Sequence, residues 1–324
     1  MFTVSNAALA RPRLTVVVPT RDRWWYLRRC LELLARQACP PEEYEVVVVD
    51  DGSTDGTPGG VEALRTGNGP RLRCLRRSAL GPAAARNSGV REAEGEVVLF
   101  LGDDIMASPD LVARHMRYHR DTPDPGAAAL GHVTWSPELR VTPFMRWLED
   151  GGPQFAYRAI RDPDNVPPAH FYTANLSVKR AFMMKWGLFD ESLRSAAFED
   201  FDLGRRLARM GMRLTLLPDA RAYHLHPTTI RSACQRMRRL GEAAAVLSRK
   251  YPEFVWIESS EPLGKKLRRS VVLSGIALAA ARLAATPLQH WSRTPGEFYR
   301  VVLDMHFRRG VRESMRAAEP QDAK

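Results

Sequence analysis

Cysteine is scarce in this 324-residue chain. Cys30, Cys39, Cys74 and Cys234 stand far apart, and no Cys-x-x-Cys unit occurs. A zinc ribbon and a disulfide framework are thereby excluded, and a reducing compartment is the simpler setting. The turn after the first apolar run lacks both a G-x-G-x-x-G pattern and a phosphate loop ending in Lys-Ser/Thr, so neither a dinucleotide fold nor a P-loop enzyme is supported. Long hydrophobic runs are few. Residues 1–13 hold only a short one, closed by Arg11 and Arg13, which is too brief for a secretory signal; the mature chain is expected to start here. The run from Ser270 to Leu288 is rich in Ala, carries Arg282 and meets Pro287, so a core or surface helix is expected rather than a membrane span. Acidic residues are in the minority, 37 against 48 Lys and Arg, which leaves a formal charge of +11. Anionic partners such as nucleotide phosphates, lipid phosphates or an anionic membrane face fit that balance. Nucleic acid is not expected, because no recognition module accompanies the charge.

What is present is an ordinary globular composition, 44% hydrophobic and 26% charged, long enough for one large domain or one domain with appended helices. Leu14 to Val18 reads as a strand ending at Pro19, with Thr20, Arg21, Asp22 and Arg23 as a turn and a helix reaching about Gln37. Glu45 to Val49 is a second strand, 71–76 a third and Glu96 to Leu101 a fourth, with a helix from Gly81 to Ala93 before the last. Strand and helix alternating at this spacing predict right-handed crossovers and a mostly parallel sheet. A helix over 108–120, a strand from Ala127 to Trp135 and a helix from Pro143 to Asp150 follow. The Pro- and Gly-rich stretch 151–169 reads as a long loop facing an acceptor. Phe171 to Val178 is the next strand, and two short strands flank Pro218-Asp219.

Carboxylates collect where strands end. Asp50-Asp51-Gly52-Ser53-Thr54-Asp55 follows the second strand, and Thr57-Pro58 offers a cap and an early proline for the next helix. Gly102-Asp103-Asp104 follows the fourth. In open α/β sheets ligands bind at that edge, where oxygen ligands suit Mg²⁺ or Mn²⁺ carrying a phosphate. The same pair could simply shape a turn before Ser108-Pro109. Glu199 and Asp200 open a helix that Gly211 ends, which places them where the helix dipole favours ionised carboxylates, as catalytic groups or as plain helix-start chemistry. His224 and His226 share a strand face, and His224 is a candidate metal ligand. His115 and His119, one turn apart, are expected on an exposed helix face. Beyond Thr229 the chain turns helical and basic, through the cluster from Lys265 to Arg269, which permits docking on an anionic bilayer.

Five segments occur in order: Val-Val-Pro-Thr-Arg-Asp-Arg (17–23), Val-Val-Asp-Asp-Gly-Ser-Thr-Asp (48–55), Ala-Arg-Asn-Ser-Gly (85–89), Phe-Leu-Gly-Asp-Asp (100–104) and Phe-Glu-Asp-Phe-Asp-Leu-Gly-Arg-Arg (198–206). Together they resemble the family 2 inverting glycosyltransferases of the GT-A fold, over about residues 13–226. The resemblance implies an α/β, Rossmann-like, mostly parallel sheet flanked by helices, with a helical C-terminal extension. The expected layout is a tail over 1–12, a GT-A domain over 13–227 (nucleotide-binding half 13–106, acceptor half 107–227), a helical region over 228–312 and a frayed tail over 313–324.

The resemblance also implies roles. Asp51 would contact the donor base, usually uracil, with Pro19, Thr20 and Arg23 around the same pocket and Arg86 on the donor. Asp103 would address ribose or phosphate. Asp104 would hold Mn²⁺ or Mg²⁺, with His224 as a further ligand. Asp200 would be the general base, supported by Glu199 and Arg206. Gly102 stands where many relatives carry the first carboxylate of an Asp-x-Asp motif, so metal binding rests on Asp104. The implied reaction moves a sugar from a nucleotide-sugar, with UDP favoured, to a glycan, lipid-linked glycan or other hydroxyl acceptor in polysaccharide biosynthesis. The implied setting is cytoplasmic with peripheral membrane contact. The alternatives are a sugar nucleotidyltransferase, against which the absent Gly-rich, Lys-containing loop weighs, and a non-catalytic nucleotide-sugar or glycan-binding remnant, against which Asp51, Asp104, Asp200 and His224 weigh. Oligomeric state is not encoded in these motifs.

Overall fold

The computed structural model describes residues 12–65, 69–150, 152, 154–193, 198–251, 283, 287 and 296–317. Two compact units divide the chain: residues 1–139 with 159–226, and residues 140–158 with 227–324.

The first unit is built on one eight-stranded sheet. Its strands are β1 (Leu14–Thr20), β2 (Tyr44–Asp50), β3 (Arg71–Arg76), β4 (Val97–Leu101), β5 (Ile105–Ala107), β6 (Ala127–Trp135), β7 (Asn175–Lys179) and β8 (Arg213–His224), in the order β3-β2-β1-β4-β7-β6-β8-β5. Helices α1 (Trp24–Leu34), α2 (Thr57–Leu64), α3 (Pro82–Glu92) and α4 (Leu111–Asp121) connect the early strands. Because β1 and β2 are covered on both faces, almost every residue in them is buried, and that is why they read as unbroken apolar runs. The pairs β1–β2, β2–β3 and β1–β4 are parallel, as the alternation predicts. Beyond β4 the sheet is mixed. β7 inserts antiparallel between β4 and β6, β5 runs antiparallel to β8, and β6–β8 is parallel.

Several boundaries differ from the sequence reading. α1 stops at Leu34 and β7 starts at Asn175, four residues later than expected. The two strands expected around Pro218-Asp219 are one strand, β8. Its register with β6 jumps from Gly131–Leu217 to His132–Arg221, so Pro218, Asp219 and Ala220 bulge out instead of ending it. Proline lacks the ladder donor, which is why it sits in the bulge.

The largest correction concerns α4. His115 is fully buried and His119 is only 6% exposed, against the expected exposed face. An i, i+4 pair fixes a shared face, and here that face lies on the sheet. His115 Nε2 lies 2.9 Å from Asn175 Oδ1 and its Nδ1 2.7 Å from Ser177 Oγ, while His119 Nε2 lies 2.8 Å from the same Oγ. Burial lowers His115 to about 4 and His119 to about 3 from the ordinary 6.5. Below about pH 6.5 the unfolded chain therefore binds protons that the native chain refuses, and stability falls with pH until the folded values are reached. By about pH 5 the loss should be about 2 kcal/mol per histidine. Urea midpoints at about pH 7.5 and about pH 5 should show this drop, with a smaller one in His119→Gln; equal drops in both proteins would rule the histidine out as a cause.

The second unit contains α5 (Pro143–Asp150), α8 (Ile230–Lys250) and a last helix, α9 (Gly296–Arg316). Thr229 caps α8 through a reciprocal pair of hydrogen bonds with Ser232. Gly241 and Gly310 let α8 and α9 meet closely, since a Cβ at Gly310 would lie 1.9 Å from the Arg238 carbonyl oxygen. α9 continues through Arg316 into the stretch read as a tail, with Glu313 paired to Arg238 and Arg309. No helix among the described residues is long and apolar enough to cross a membrane. The 270–288 run, apart from Leu283 and Pro287, and the basic cluster before it lie outside the described residues.

Candidate active site

The carboxyl ends of β1 and β2 are tied together by their loops. Asp22, at φ +53°, accepts hydrogen bonds from the Thr54 and Asp55 amides and donates its own N–H to Ser53 Oγ. Trp24 N–H donates to Asp55 Oδ2. This lacing fixes the start of α1 and therefore the place of Arg23.

Arg23 lies between the two carboxylates that follow β4. Its Nε is 3.0 Å from Asp103 Oδ1, and its terminal nitrogen donates to Asp104 Oδ2. Thr20 Oγ1, at the end of β1, donates to the other oxygen of Asp103 at 2.8 Å. Tyr26 supports the guanidinium, whose carbon is 4.8 Å from the ring centre. From the far side, β8 brings His224 opposite Ile105, with Nε2 3.3 Å from Asp104 Oδ2. Trp135 packs against the His224 ring at 5.3 Å.

The two aspartates are shifted in opposite directions. Burial, and then the charge of Asp104, push Asp103 up to about 7. Burial opposes ionisation of Asp104 too, but its hydrogen bond to His224 and the charges of His224 and Arg23 hold it below the ordinary carboxylate range. Gly102 has a local reason. A Cβ there would lie 2.9 Å from Ile105 Cγ1 and 3.1 Å from Asp104 Oδ1, so a carboxylate at this position would crowd its neighbour.

Asp51 is buried at the end of β2 and accepts from the amides of Leu80 and Gly81 at 3.0 and 2.8 Å. Each carboxylate oxygen keeps a second lone pair for a further donor. Arg77 Nε stands 3.7 Å from Asp51, and its terminal Nη1 donates to the Ala84 carbonyl at the start of α3. Pro19, on β1, is partly exposed beside Thr20.

The second cluster opens α7 (Glu199–Arg209). Phe198, its N-cap, is left-handed at φ +64°, a costly conformation for a bulky residue and one found where a site must be aimed. Glu199 is buried against Arg86, with Oε1 to Nη1 at 2.9 Å, so Arg86 reaches Glu199 rather than standing alone on α3. Asp200 accepts from the Phe201 amide at 2.9 Å and from the Thr173 amide just before β7. Burial raises both carboxyls. The charge of Asp200 raises Glu199 further, and Arg86 opposes both shifts. Arg206 pairs with Asp202 at 2.9 Å and donates to the Leu188 carbonyl, which fixes α7 to the loop after α6 (Arg180–Trp186).

Topology places the two clusters on one edge. Leu101 ends β4 opposite Asn175, the first residue of β7. Thr173, which holds Asp200, is two residues upstream, and Asp103 is two residues past Leu101. Asn87, quoted in the third motif without a role, holds the 189–191 segment through the Phe189 backbone and Glu191. Arg77 and Thr173 carried no sequence signal, because their roles depend on strand order.

The expected divalent ion can be tested against these side chains. Asp104 and His224 converge as one oxygen and one nitrogen donor, a set suited to Mn²⁺ or Mg²⁺, whereas Asp103 is committed to Thr20 and Arg23. No group of three or more His, Cys, Asp or Glu side chains poised for a metal occurs among the described residues. Asp104 and His224 are the side chains that would hold such an ion.

Comparison with known proteins bears on the family and the fold. Residues 15–134 match Glycosyl transferase family 2, and residues 98–296 match Glycosyl transferase family group 2. Validoxylamine A glucosyltransferase of Streptomyces hygroscopicus subsp. limoneus is 30% identical over 259 residues, covering 70% of this chain. The chain spans 56% of that relative's length. Poly(ribitol-phosphate) beta-N-acetylglucosaminyltransferase TarS of Staphylococcus aureus is 41% identical over 92 residues, which is 28% of this chain and 16% of that protein. Among solved structures, mannosyltransferase PcManGT from Pyrobaculum calidifontis, in complex with GDP-Man and Mn²⁺, has a TM-score of 0.62 at 22% identity, covering 95% of this chain and 88% of the other. S. aureus TarS 1-349 with UDP-GlcNAc has a TM-score of 0.54 at 22% identity, covering 95% and 93%. These likenesses show the fold, a GT-A α/β architecture.

Proposed function

The chain belongs to the family 2 glycosyltransferases, and from that membership we propose that it transfers a sugar, with inversion, from a UDP-sugar to a hydroxyl of a glycan or lipid-linked glycan. The observation that carries the proposal is the meeting, on one sheet edge, of the Arg23–Asp103–Asp104–His224 cluster with the raised carboxylate of Asp200. The first cluster suits a leaving diphosphate and the second a hydroxyl that must lose its proton.

Each residue has a task in this reading. Asp51 accepts from a base N–H at the β2 tip, with Pro19 and Thr20 forming the wall beside it. Asp103 faces ribose or phosphate, and Arg23, fixed by both aspartates, presents its guanidinium to the diphosphate. Asp200 takes the acceptor proton as the acceptor oxygen bonds to the anomeric carbon and the carbon–diphosphate bond breaks on the opposite face. Burial raises its pKa and makes it a stronger base than a solvent-exposed aspartate. Arg86 pairs with Glu199 beside it and opposes the rise in its pKa, and Arg206 fixes the helix that aims both. A divalent ion held by Asp104 and His224 would supply Lewis-acid neutralisation of the departing diphosphate. The setting proposed is cytoplasmic, with the basic C-terminal helices docking on an anionic membrane and the 151–170 segment facing the acceptor.

A panel of nucleotide-sugars screened by thermal stabilisation, with and without Mn²⁺, tests the reading. A UDP-sugar should raise the melting temperature more than its GDP counterpart, and Mn²⁺ should enlarge the shift. Guanine also presents N–H donors that Asp51 could accept, so a larger GDP response would overturn the base assignment; no response to any nucleotide-sugar would overturn donor binding itself.

A further inference from the structure

At the end of the sheet away from the acid pair, a cavity of about 590 Å³ is lined by Arg13, Arg117, Arg120 and Lys179, with Glu43 and Glu96 as its carboxylates. Arg13 precedes the first residue of β1, and Lys179 ends β7 opposite Val97, the first residue of β4. Thr20 and Asp103 lie past the other ends of β1 and β4. Seven residues of β1 separate the two places by about 20 Å, so a molecule in this cavity is not the donor.

Among the lining residues positive charge exceeds negative, with Asp121 beside Arg120 and Asp124 acting with Glu96 on Lys179. Arg13 is 3.9 Å from Glu43, at the limit of an ion pair, and Arg120 is paired with Asp121. Lys179 Nζ donates to the Thr122 carbonyl at 2.9 Å, which fixes the ammonium and leaves its other two hydrogens available. Arg117 has no ion pair or hydrogen bond among the described residues. Burial lowers the Lys179 pKa, and an anion would offset that effect.

His119 adds an acceptor whose state follows from hydrogen-bond counting. Asn175 Nδ2 donates to the Ala220 carbonyl, so its Oδ1 faces His115 and can only accept. His115 Nε2 therefore carries the proton, and its Nδ1 must accept the one hydroxyl hydrogen of Ser177. Ser177 Oγ has no further hydrogen, so His119 Nε2 donates to it and His119 Nδ1 bears a lone pair. That Nδ1 is buried and has no hydrogen-bond partner, and His119 lines the cavity.

We propose that this cavity is a second ligand site, for a singly protonated phosphate group, held by Lys179, Arg117, Arg13 and Arg120 with His119 Nδ1 accepting the P–OH hydrogen. Such a group offers oxygens to the cations and one donor to the imidazole. Sulfate has the same shape as inorganic phosphate and the same charge as its dianion but no donor, so the site discriminates between them. Free phosphate keeps such a hydrogen at neutral pH, whereas a phosphomonoester, with its second pKa of about 6, carries it only in its minor monoanionic form; the cavity is large enough for either. The inference does not depend on the glycosyl-transfer reading.

Calorimetric titration of the full chain at about pH 7 with inorganic phosphate, glycerol 3-phosphate and sulfate tests it. One saturable site is expected, about tenfold weaker for sulfate, and weaker by about tenfold in Arg117→Ala and in Lys179→Met. Arg117 is exposed, so its variant keeps the fold. Tighter binding of the ester than of phosphate would support a phosphomonoester as ligand, and the reverse would support free phosphate. Absence of saturable binding, equal affinity for sulfate, or binding unchanged in both variants would overturn the proposal.

Discussion

Asp200→Asn is expected to lower turnover by about a thousandfold while leaving nucleotide-sugar binding nearly unchanged. The substitution keeps the side chain's size and an acceptor oxygen, so the bonds from the Phe201 and Thr173 amides can persist and α7 keeps its first turn. What is lost is the ability to take a proton from the attacking hydroxyl. Removing the Asp200 charge also relieves Glu199, which that charge pushes up, so the fold should not be weakened. Glu199→Gln should behave differently. It leaves a largely buried Arg86 without its carboxylate partner, and stability should fall by about 3 kcal/mol. Initial rates, nucleotide titration and far-ultraviolet dichroism on both variants separate the roles. Unchanged turnover in Asp200→Asn, or loss of its folded signal, would remove Asp200 as the base.

For Arg23→Met the expectation is a loss of about 2–4 kcal/mol in metal-free buffer, with Mn²⁺ recovering much of it. Asp103 and Asp104 share this guanidinium, and it is the cation that lies between them. Without it the pair is left buried with the imidazoles of His224 and His226 on the Asp104 side, and breaking a buried ion pair costs more than the pair contributes when intact. One third of the Arg23 side chain is exposed, which places the loss toward the lower end of that range. The vacated position between the carboxylates then favours a divalent ion, so the rise in melting temperature with Mn²⁺ should exceed that of the unaltered protein. Equal rises in the two proteins would show that Arg23 and the ion do not address the same charges.

The site was legible in proportion to how local its chemistry is. Asp51, Asp103 and Asp104 were readable because an apolar run that stops at carboxylates marks a strand tip, and β2 and β4 end there. Glu199 and Asp200 were readable as the first turn of a helix closed by Gly211, and α7 has those bounds within two residues. The partner of each was not readable. Arg86 sits on α3 in a motif that says nothing of Glu199, 113 positions away. His115 and His119 were misplaced for the same reason. Helical spacing shows that two residues share a face, and only the packing of β7 against α4 shows which face is covered.

By itself, then, the sequence determined the strand tips, the first four parallel strands, the family resemblance and the loss of a carboxylate at Gly102, because each is written in contiguous residues. The tertiary structure decided the division of labour. It put Arg23 between the aspartates, set His224 against Asp104, brought Thr173 to Asp200 and turned two histidines inward. The first depends on the parallel pairing of β1 with β4, and the other three on β7 entering antiparallel between β4 and β6 and on β8 crossing Pro218–Ala220 as a bulge. Such pairings join residues far apart in the chain, and no local periodicity encodes them.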